Sequence, residues 1–188
     1  MRLQVGERFP AELIASMTSA WKRQEKWLPD SIKERDDLLQ YFLFNAGAQW
    51  YQVQSDNGVP SSMWFYLWNI LPGLNADFYW ISNAEIVERK EVRDAMKSAM
   101  REYDLRRLTL HLPMLASEAL RVAQSFGFVQ EGRLRDATKY NGEYSDLIVM
   151  GFHRSEVETG KVALSPAAQF DGKTKKRKRK SRRKTEAA

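Results

Sequence analysis

The stretch RRLTLHLPMLASEALRVAQSFGFVQEGRLRDATKYNGEYSDLIVMGFHRSE, from Arg106 to Glu156, decides the fold of this chain. It begins with a strand over 107–112, whose three leucines share one face. A helix is predicted over 117–126, and the turn Asn141-Gly142 predicts a closing hairpin. Strand, helix and hairpin in this order indicate a mixed α/β sheet.

Upstream of this stretch the patterns predict two helices, a three-strand meander and a further helix, over residues 10–27, 31–46, 48–55, 61–71, 76–81 and 89–103. The strand over 61–71 is apolar on both faces, which favours a central position in the sheet. Because the last of these helices joins two strands, those strands are expected to be parallel. We expect about six to seven strands with helices on both faces.

The charge of the chain is divided between two regions. Residues 173–184 contain ten Lys or Arg and no acid, and the rest of the chain has 20 basic against 24 acidic residues. A composition that is small and polar, then basic, predicts disorder. We therefore expect a folded domain over 1–157 and a disordered basic tail over 158–188.

Composition also excludes several classes of protein and site. The chain has no Cys and two His, so we expect no disulfide and no metal centre. Its most apolar run, 63–71, is nine residues long, whereas a membrane-spanning helix needs about 20. With no apolar signal core near the N-terminus, the prediction is a protein without a membrane role, located in the cytoplasm.

A run of short motifs follows the 117–126 helix. They are Gly127-Phe128 at its end, Glu131-Gly132, the basic Arg133 and Arg135, then Gly142, Tyr144 and Asp146 in the hairpin, and finally Glu156. These motifs resemble the C-terminal half of the Gcn5-related N-acetyltransferase (GNAT) superfamily, most closely the branch that acetylates ribosomal-protein N-termini. The resemblance implies that acetyl-CoA lies where the strands 76–81 and 107–112 splay apart, and that its acetyl group passes to an amine.

The segment that would bind the cofactor pyrophosphate departs from this family. GNAT proteins use a glycine-rich loop that runs into a helix N-terminus, whereas residues 82–91 contain no glycine. Ser82 and Glu85 instead form a capping-box pattern. The candidates for binding the cofactor are Ile81, Ser82, Arg89, Lys90 and Arg93. The last three could bind phosphate through their side chains or could lie on a solvated helix face.

Three residues are candidates for proton transfer, each with a structural alternative. His111 could be a general base or a polar strand residue, and Ser117 could protonate the thiol or cap its helix. Tyr144 matches the family pattern, and neighbouring Asp146 is expected to order the hairpin rather than transfer a proton. The positions of the Asn and Tyr used in other GNAT branches are Ala116 and Ala123.

Two functions remain open from sequence. One is an acetyl-CoA-dependent N-acetyltransferase without a glycine phosphate loop. The other is a non-catalytic GNAT-fold protein, for example one associated with a phage virion, that contacts nucleic acid, a protein partner or a larger assembly. The tail residues expected to bind nucleic acid are Lys175, Lys176, Arg177, Lys178, Arg179, Lys180, Arg182, Arg183 and Lys184.

Overall fold

A computed structural model describes residues 2–3, 11–30, 47–54, 57, 59–82 and 89–155. Several predictions lie outside these residues: the helix over 31–46, the glycine-free loop over 83–88, Glu156 and the whole basic tail. The sequence prediction stands for them as an expectation.

The described elements follow the predicted order. The helices are α1 (Ala11–Gln24), α2 (Arg89–Glu102) and α3 (Ser117–Phe126), and a 3-10 turn over Glu25–Trp27 follows α1. The strands are β1 (Arg2–Leu3), β2 (Gln49–Gln54), β3 (Pro60–Leu71), β4 (Asn75–Ser82), β5 (Arg107–Pro113), β6 (Val129–Tyr140) and β7 (Glu143–His153).

The strands form one mixed sheet in the order β1-β2-β3-β4-β5-β7-β6. Strands β4 and β5 are parallel, as predicted from the helix that joins them, and the other described pairs are antiparallel. Strand β3 lies between β2 and β4, which confirms its predicted central position. The two-residue β1 was not predicted, because two residues are too short to show an alternating pattern.

Alternating side chains of the sheet supply two hydrophobic cores. Phe65 and Phe78 point toward α2 and α3, where Met96 is fully buried. On the opposite face, Trp64 and Ile81 pack beneath α1. Helices therefore lie on both faces of the sheet, which confirms the predicted α/β architecture.

The Gly127-Phe128 motif ends α3 and starts β6. Gly127 has φ of +104°, a left-handed conformation that closes a helix and favours glycine. The Phe128 N–H donates to the Ala123 carbonyl at 3.1 Å. The Phe128 ring then packs between Phe78 and Phe152, with centroid distances of 5.1 and 5.5 Å. The motif thus joins a helix end to the centre of the core.

The Glu131 side chain lies over a strand glycine. Its carboxylate binds Arg107 Nη2 at 2.6 Å and His153 Nε2 at 2.9 Å. A Cβ atom placed on Gly151 would lie 2.2 Å from Glu131 Oε1, far inside van der Waals contact. Gly151 therefore leaves room for a carboxylate that ties β5 and β7 to β6.

We expect Gly151→Ala to destabilise the protein by about 1–3 kcal/mol, because the new methyl group displaces Glu131 from both partners. Urea unfolding would measure this loss. Gly132→Ala is the matched control, since a Cβ there meets its nearest neighbour, Val149 Cβ, at 3.9 Å. We expect the control to stay within about 0.5 kcal/mol of wild type. Equal effects of the two changes would contradict the packing described above.

Candidate active site

The parallel pair β4 and β5 separates partway along its length. Its register pairs are Asn75↔Arg107, Ala76↔Leu108 and Asp77↔Thr109. Strand β4 nevertheless continues to Ser82, paired with β3, and β5 continues to Pro113, paired with β7. Residues 78–82 and 110–113 therefore flank an opening within the sheet, which we call the gap.

Hydrogen-bond parity shows which backbone groups face the gap. The carbonyl of Leu74, the residue before β4, accepts from Arg107 N at 3.2 Å and therefore points toward β5. Backbone groups of alternate strand residues point the same way. Trp80 and Ser82 therefore present their backbone groups to the gap from β4, and His111 does so from β5.

A side chain from α1 covers the β4 edge of the gap. Gln24 is 7% exposed. With its amide oriented to satisfy both atoms, Nε2 donates to the Trp80 carbonyl at 3.0 Å and Oε1 accepts from Ser82 N–H at 3.2 Å. The contact joins residues far apart in sequence, and no local pattern predicts it.

The segment from Gln24 to Asp30, which we call the strap, continues from this contact to α3. Lys26 Nζ lies 2.7 Å from Glu118 Oε2, and Trp27 Nε1 donates to the same oxygen at 3.1 Å. The Lys26 hydrogen bond, followed by that of Trp27, lowers the pKa of the Glu118 carboxyl. The Trp27 ring also packs against Trp80, with centroids 6.2 Å apart.

The far end of the strap is attached to the β6–β7 hairpin. Asp30 accepts from the backbone N–H groups of Asn141 and Gly142 at 2.8 and 2.7 Å. Tyr140 donates its hydroxyl to the Lys26 carbonyl. The strap thus joins β4, on one side of the gap, to α3 and the hairpin on the other side.

Two side chains on the α1 face of the sheet flank the gap. His111 points away from the Leu110 and Leu112 face of β5, and Tyr79 alternates with Phe78 on β4. The last residues that pair β4 with β5 are Asp77 and Thr109. Tyr79 and His111 are the next residues on the same face of their strands. Burial, with a smaller contribution from Asp77, raises the pKa of Tyr79 to about 12. Tyr79 is therefore a neutral phenol at physiological pH, and its raised pKa makes it a weaker acid than an ordinary tyrosine.

The other two predicted catalytic residues occupy different places. Ser117 is exposed and is the first residue of α3. Its predicted capping role is wrong, because Ala116 takes the cap position and makes no side-chain cap. Tyr144 is 70% exposed on the hairpin, with Lys139 Nζ 5.1 Å from its ring centroid. Ser117 thus lies on α3 and Tyr144 near the hairpin turn, whereas His111 lies within β5.

The predicted cofactor residues divide into two groups. Ile81 is buried beneath α1, and the parity of β4 turns its backbone groups toward β3 rather than toward the gap. Ser82 faces the gap through its backbone N–H. Arg89, Lys90 and Arg93 are exposed at the start of α2, which follows β4 along the chain. Trp80 is the gap-facing residue that sequence reasoning missed.

Asp146 has the hairpin role predicted for it. Its carboxylate accepts from the backbone N–H of Asp136 at 2.8 Å and from Arg133 Nε. The backbone bond, followed by the Arg133 contact, lowers the pKa of the Asp146 carboxyl. Asp136 has φ of +50° in a stretch where the β6–β7 register shifts. Asp146 thus holds an irregular part of β6 in place.

Metal sites and membrane spans are both missing from the described part of the chain. No cluster of three or more His, Asp or Glu side chains among the described residues is arranged to bind a metal ion. None of the described helices has the length and apolar character needed to cross a membrane.

No family model matches the sequence, and no curated protein sequence is similar to it. Solved structures do match the fold. A point mutant of the spermidine N-acetyltransferase SpeG from Vibrio cholerae superposes with a TM-score of 0.57 at 18% identity, covering 83% of this chain and 95% of that one. The same enzyme in complex with CoA and spermine gives a TM-score of 0.54 at 17% identity, covering 82% and 95%. SpeG is a GNAT-superfamily enzyme, and this chain therefore has a GNAT-like mixed α/β fold.

Proposed function

We propose that this protein is an acetyl-CoA-dependent N-acetyltransferase that transfers an acetyl group to an amine. The observation that carries the proposal is the gap, where β4 and β5 continue without pairing to each other. When bound, acetyl-CoA supplies an activated thioester carbonyl that an amine nitrogen attacks directly, with the thiol as leaving group. A non-catalytic GNAT-fold protein remains the alternative.

The residues around the gap fit such a cofactor. The pantetheine arm of CoA is extended and carries two secondary amides, which can pair with the backbone groups of a strand edge. Trp80 and Ser82 would hold this arm through the backbone groups that face the gap. Arg89, Lys90 and Arg93, which are exposed on α2, would attract the phosphates through their positive charges. These side chains would replace the glycine loop found in the family.

The same site can manage the protons of the reaction. An attacking amine must lose a proton, and His111 can accept one beside the gap. The departing thiolate must gain a proton, and Tyr79 is the candidate donor because its side chain flanks the gap. We propose His111 as the general base and Tyr79 as the general acid.

Calorimetric titration with acetyl-CoA tests the proposal. We expect micromolar affinity, and an Arg89→Ala/Arg93→Ala double variant should bind about 10- to 100-fold more weakly, because charged hydrogen bonds to phosphate are lost. Arg101→Ala, an exposed change in the last turn of the same helix, is the control and should bind like wild type. Absence of binding at millimolar cofactor would overturn the proposal and favour the non-catalytic alternative.

The acceptor is proposed as a primary amine. The hairpin motifs favour a protein N-terminus, as in the ribosomal-protein branch, whereas the structural neighbours act on spermidine. Parallel assays with spermidine and with a short peptide bearing a free N-terminus would separate these acceptors. Acetylation of the peptide alone would support the branch assignment.

We also propose that residues 173–184 bind nucleic acid. Ten cations among twelve residues attract polyanions in a salt-dependent way. Because the segment contains no aromatic residue for base stacking, it would contact the phosphate backbone without sequence preference.

A further inference from the structure

The Gln24 carboxamide makes the two hydrogen bonds that a strand residue would make. In a parallel ladder, one residue donates to a neighbouring carbonyl and accepts from the N–H two residues further on. Gln24 does the same with the Trp80 carbonyl and Ser82 N–H, at 3.0 and 3.2 Å. It therefore takes the place on the β4 edge that β5 leaves beyond Thr109.

This arrangement has a clear physical reason. Buried backbone groups need partners, and the splay of β4 and β5 would leave the Trp80 carbonyl and Ser82 N–H without a strand. A primary carboxamide carries both a donor and an acceptor, so a single Gln satisfies both groups. The side-chain amide of the buried Gln24 therefore satisfies the two backbone groups of β4 that β5 leaves unpaired.

An extended ligand that pairs with this edge needs the same two groups. We propose that Gln24 is a displaceable substitute for the ligand's own amide, so that it competes with the pantetheine arm of CoA for the β4 edge. Gln24 would thereby set the affinity of the protein for acyl-CoA. The inference rests on the proposed function, because it takes CoA as the ligand.

The position of Gln24 allows this displacement. It is the last residue of α1, where the helix passes into the 3-10 turn of the strap. The strap beyond Gln24 is held by the Lys26–Glu118 ion pair and by the packing of Trp27 on Trp80. Rotation of the Gln24 side chain alone leaves both contacts in place. The β4 edge can therefore be uncovered without movement of the strap.

The test compares CoA binding by wild type, Gln24→Ala and Gln24→Met. In wild type, CoA must displace the two hydrogen bonds that Gln24 makes to β4. Both variants lack these bonds, so they should bind CoA about tenfold more tightly, or by about 1.4 kcal/mol. Gln24→Met keeps a long side chain without an amide, so it separates lost hydrogen bonds from lost volume. Gln52→Ala is the matched control, because Gln52 also donates to a backbone carbonyl, that of Ser61 at 3.0 Å, but on β2.

A second measurement does not depend on CoA. Amide hydrogen exchange followed by NMR should show faster exchange at Ser82 in both Gln24 variants than in wild type and Gln52→Ala. Unchanged exchange at Ser82 would overturn the contact and the inference with it.

The outcomes separate this inference from the proposed function. Tighter CoA binding by the Gln24 variants supports the competition. If wild type binds CoA and the Gln24 variants bind it equally well or more weakly, the competition is overturned and the proposed function is kept. Absence of CoA binding by every variant, with Ser82 exchange accelerated, overturns the proposed function and the competition together.

Discussion

Replacing His111 with Gln is expected to lower kcat for acetyl transfer by about 10²- to 10⁴-fold, the usual contribution of a general base. Gln keeps a polar side chain of similar size but cannot accept a proton at neutral pH. Because this change keeps the backbone groups of His111 that face the β4 edge, acetyl-CoA affinity should stay within about twofold of wild type. Steady-state kinetics combined with calorimetry would measure the two quantities separately.

The second histidine provides the matched control for this experiment. His153 is paired with Arg107 at the opposite end of β5 and is bound to Glu131. His153→Gln should therefore leave kcat unchanged, although it weakens the Glu131 contact. Retention of activity in His111→Gln to within about threefold would show that His111 is an ordinary strand residue, and Tyr79 alone would remain as a proton-transfer candidate.

Deleting residues 173–188 is expected to weaken binding to duplex DNA at low salt by at least about 100-fold. The remaining 172 residues carry 20 basic and 23 acidic residues, so little attraction to phosphate is left. Fluorescence anisotropy at about 50 mM and about 200 mM salt would measure the loss, and the salt dependence itself should nearly disappear with the tail.

Two tail variants sharpen this second experiment. A shuffled tail of the same composition should bind like wild type, because backbone contacts carry no sequence information. A tail with Gln in place of every Lys and Arg should bind like the deletion. Unchanged retention of the truncated protein on heparin would contradict the assignment of the positive charge to nucleic-acid binding.

Local patterns were sufficient to predict the described elements of the fold except β1 and the 3-10 turn. Alternating leucines identified β5, a helical stripe beginning at Val92 identified α2, and Asn141-Gly142 identified the last turn. These signals are local because side-chain periodicity and turn geometry depend on a few neighbouring residues. The elements end within a few residues of the predicted bounds, and α1 differs mainly by passing into a 3-10 turn after Gln24.

The strap could not be predicted, because its contacts join distant parts of the chain. The helix predicted over 10–27 ended before Asp30, and nothing in the sequence indicated that Asp30 binds the turn at Asn141-Gly142. Gln24 likewise showed no signal beyond its place within the helix predicted over 10–27. A single polar residue of this kind acquires its role only when tertiary structure brings a free strand edge beside it.

The cofactor residues illustrate a second limit. The sequence located the end of β4 correctly, but the choice between Ile81 and Trp80 depends on the parity of its hydrogen bonds. That parity is set by the bond from Arg107 N to the Leu74 carbonyl, which no pattern reveals. A shift of one residue would reverse every backbone group along the gap.

The motifs that carry the family resemblance have structural roles in this chain. Gly127 closes α3, Glu131 ties three strands together, and Asp146 holds an irregular part of the hairpin. They explain why the sequence indicated the fold so clearly. These three residues do not border the gap, so the motifs did not predict which residues bind the cofactor or transfer protons.

A crystal structure of the protein with CoA would test the central claim most directly, namely that the opening between β4 and β5 is a cofactor site. We expect the pantetheine arm between the two strands, bound to the Trp80 carbonyl and Ser82 N–H, with Gln24 displaced. Strands that pair continuously through Ser82 and Pro113, or CoA bound elsewhere with the gap still closed by Gln24, would contradict that claim.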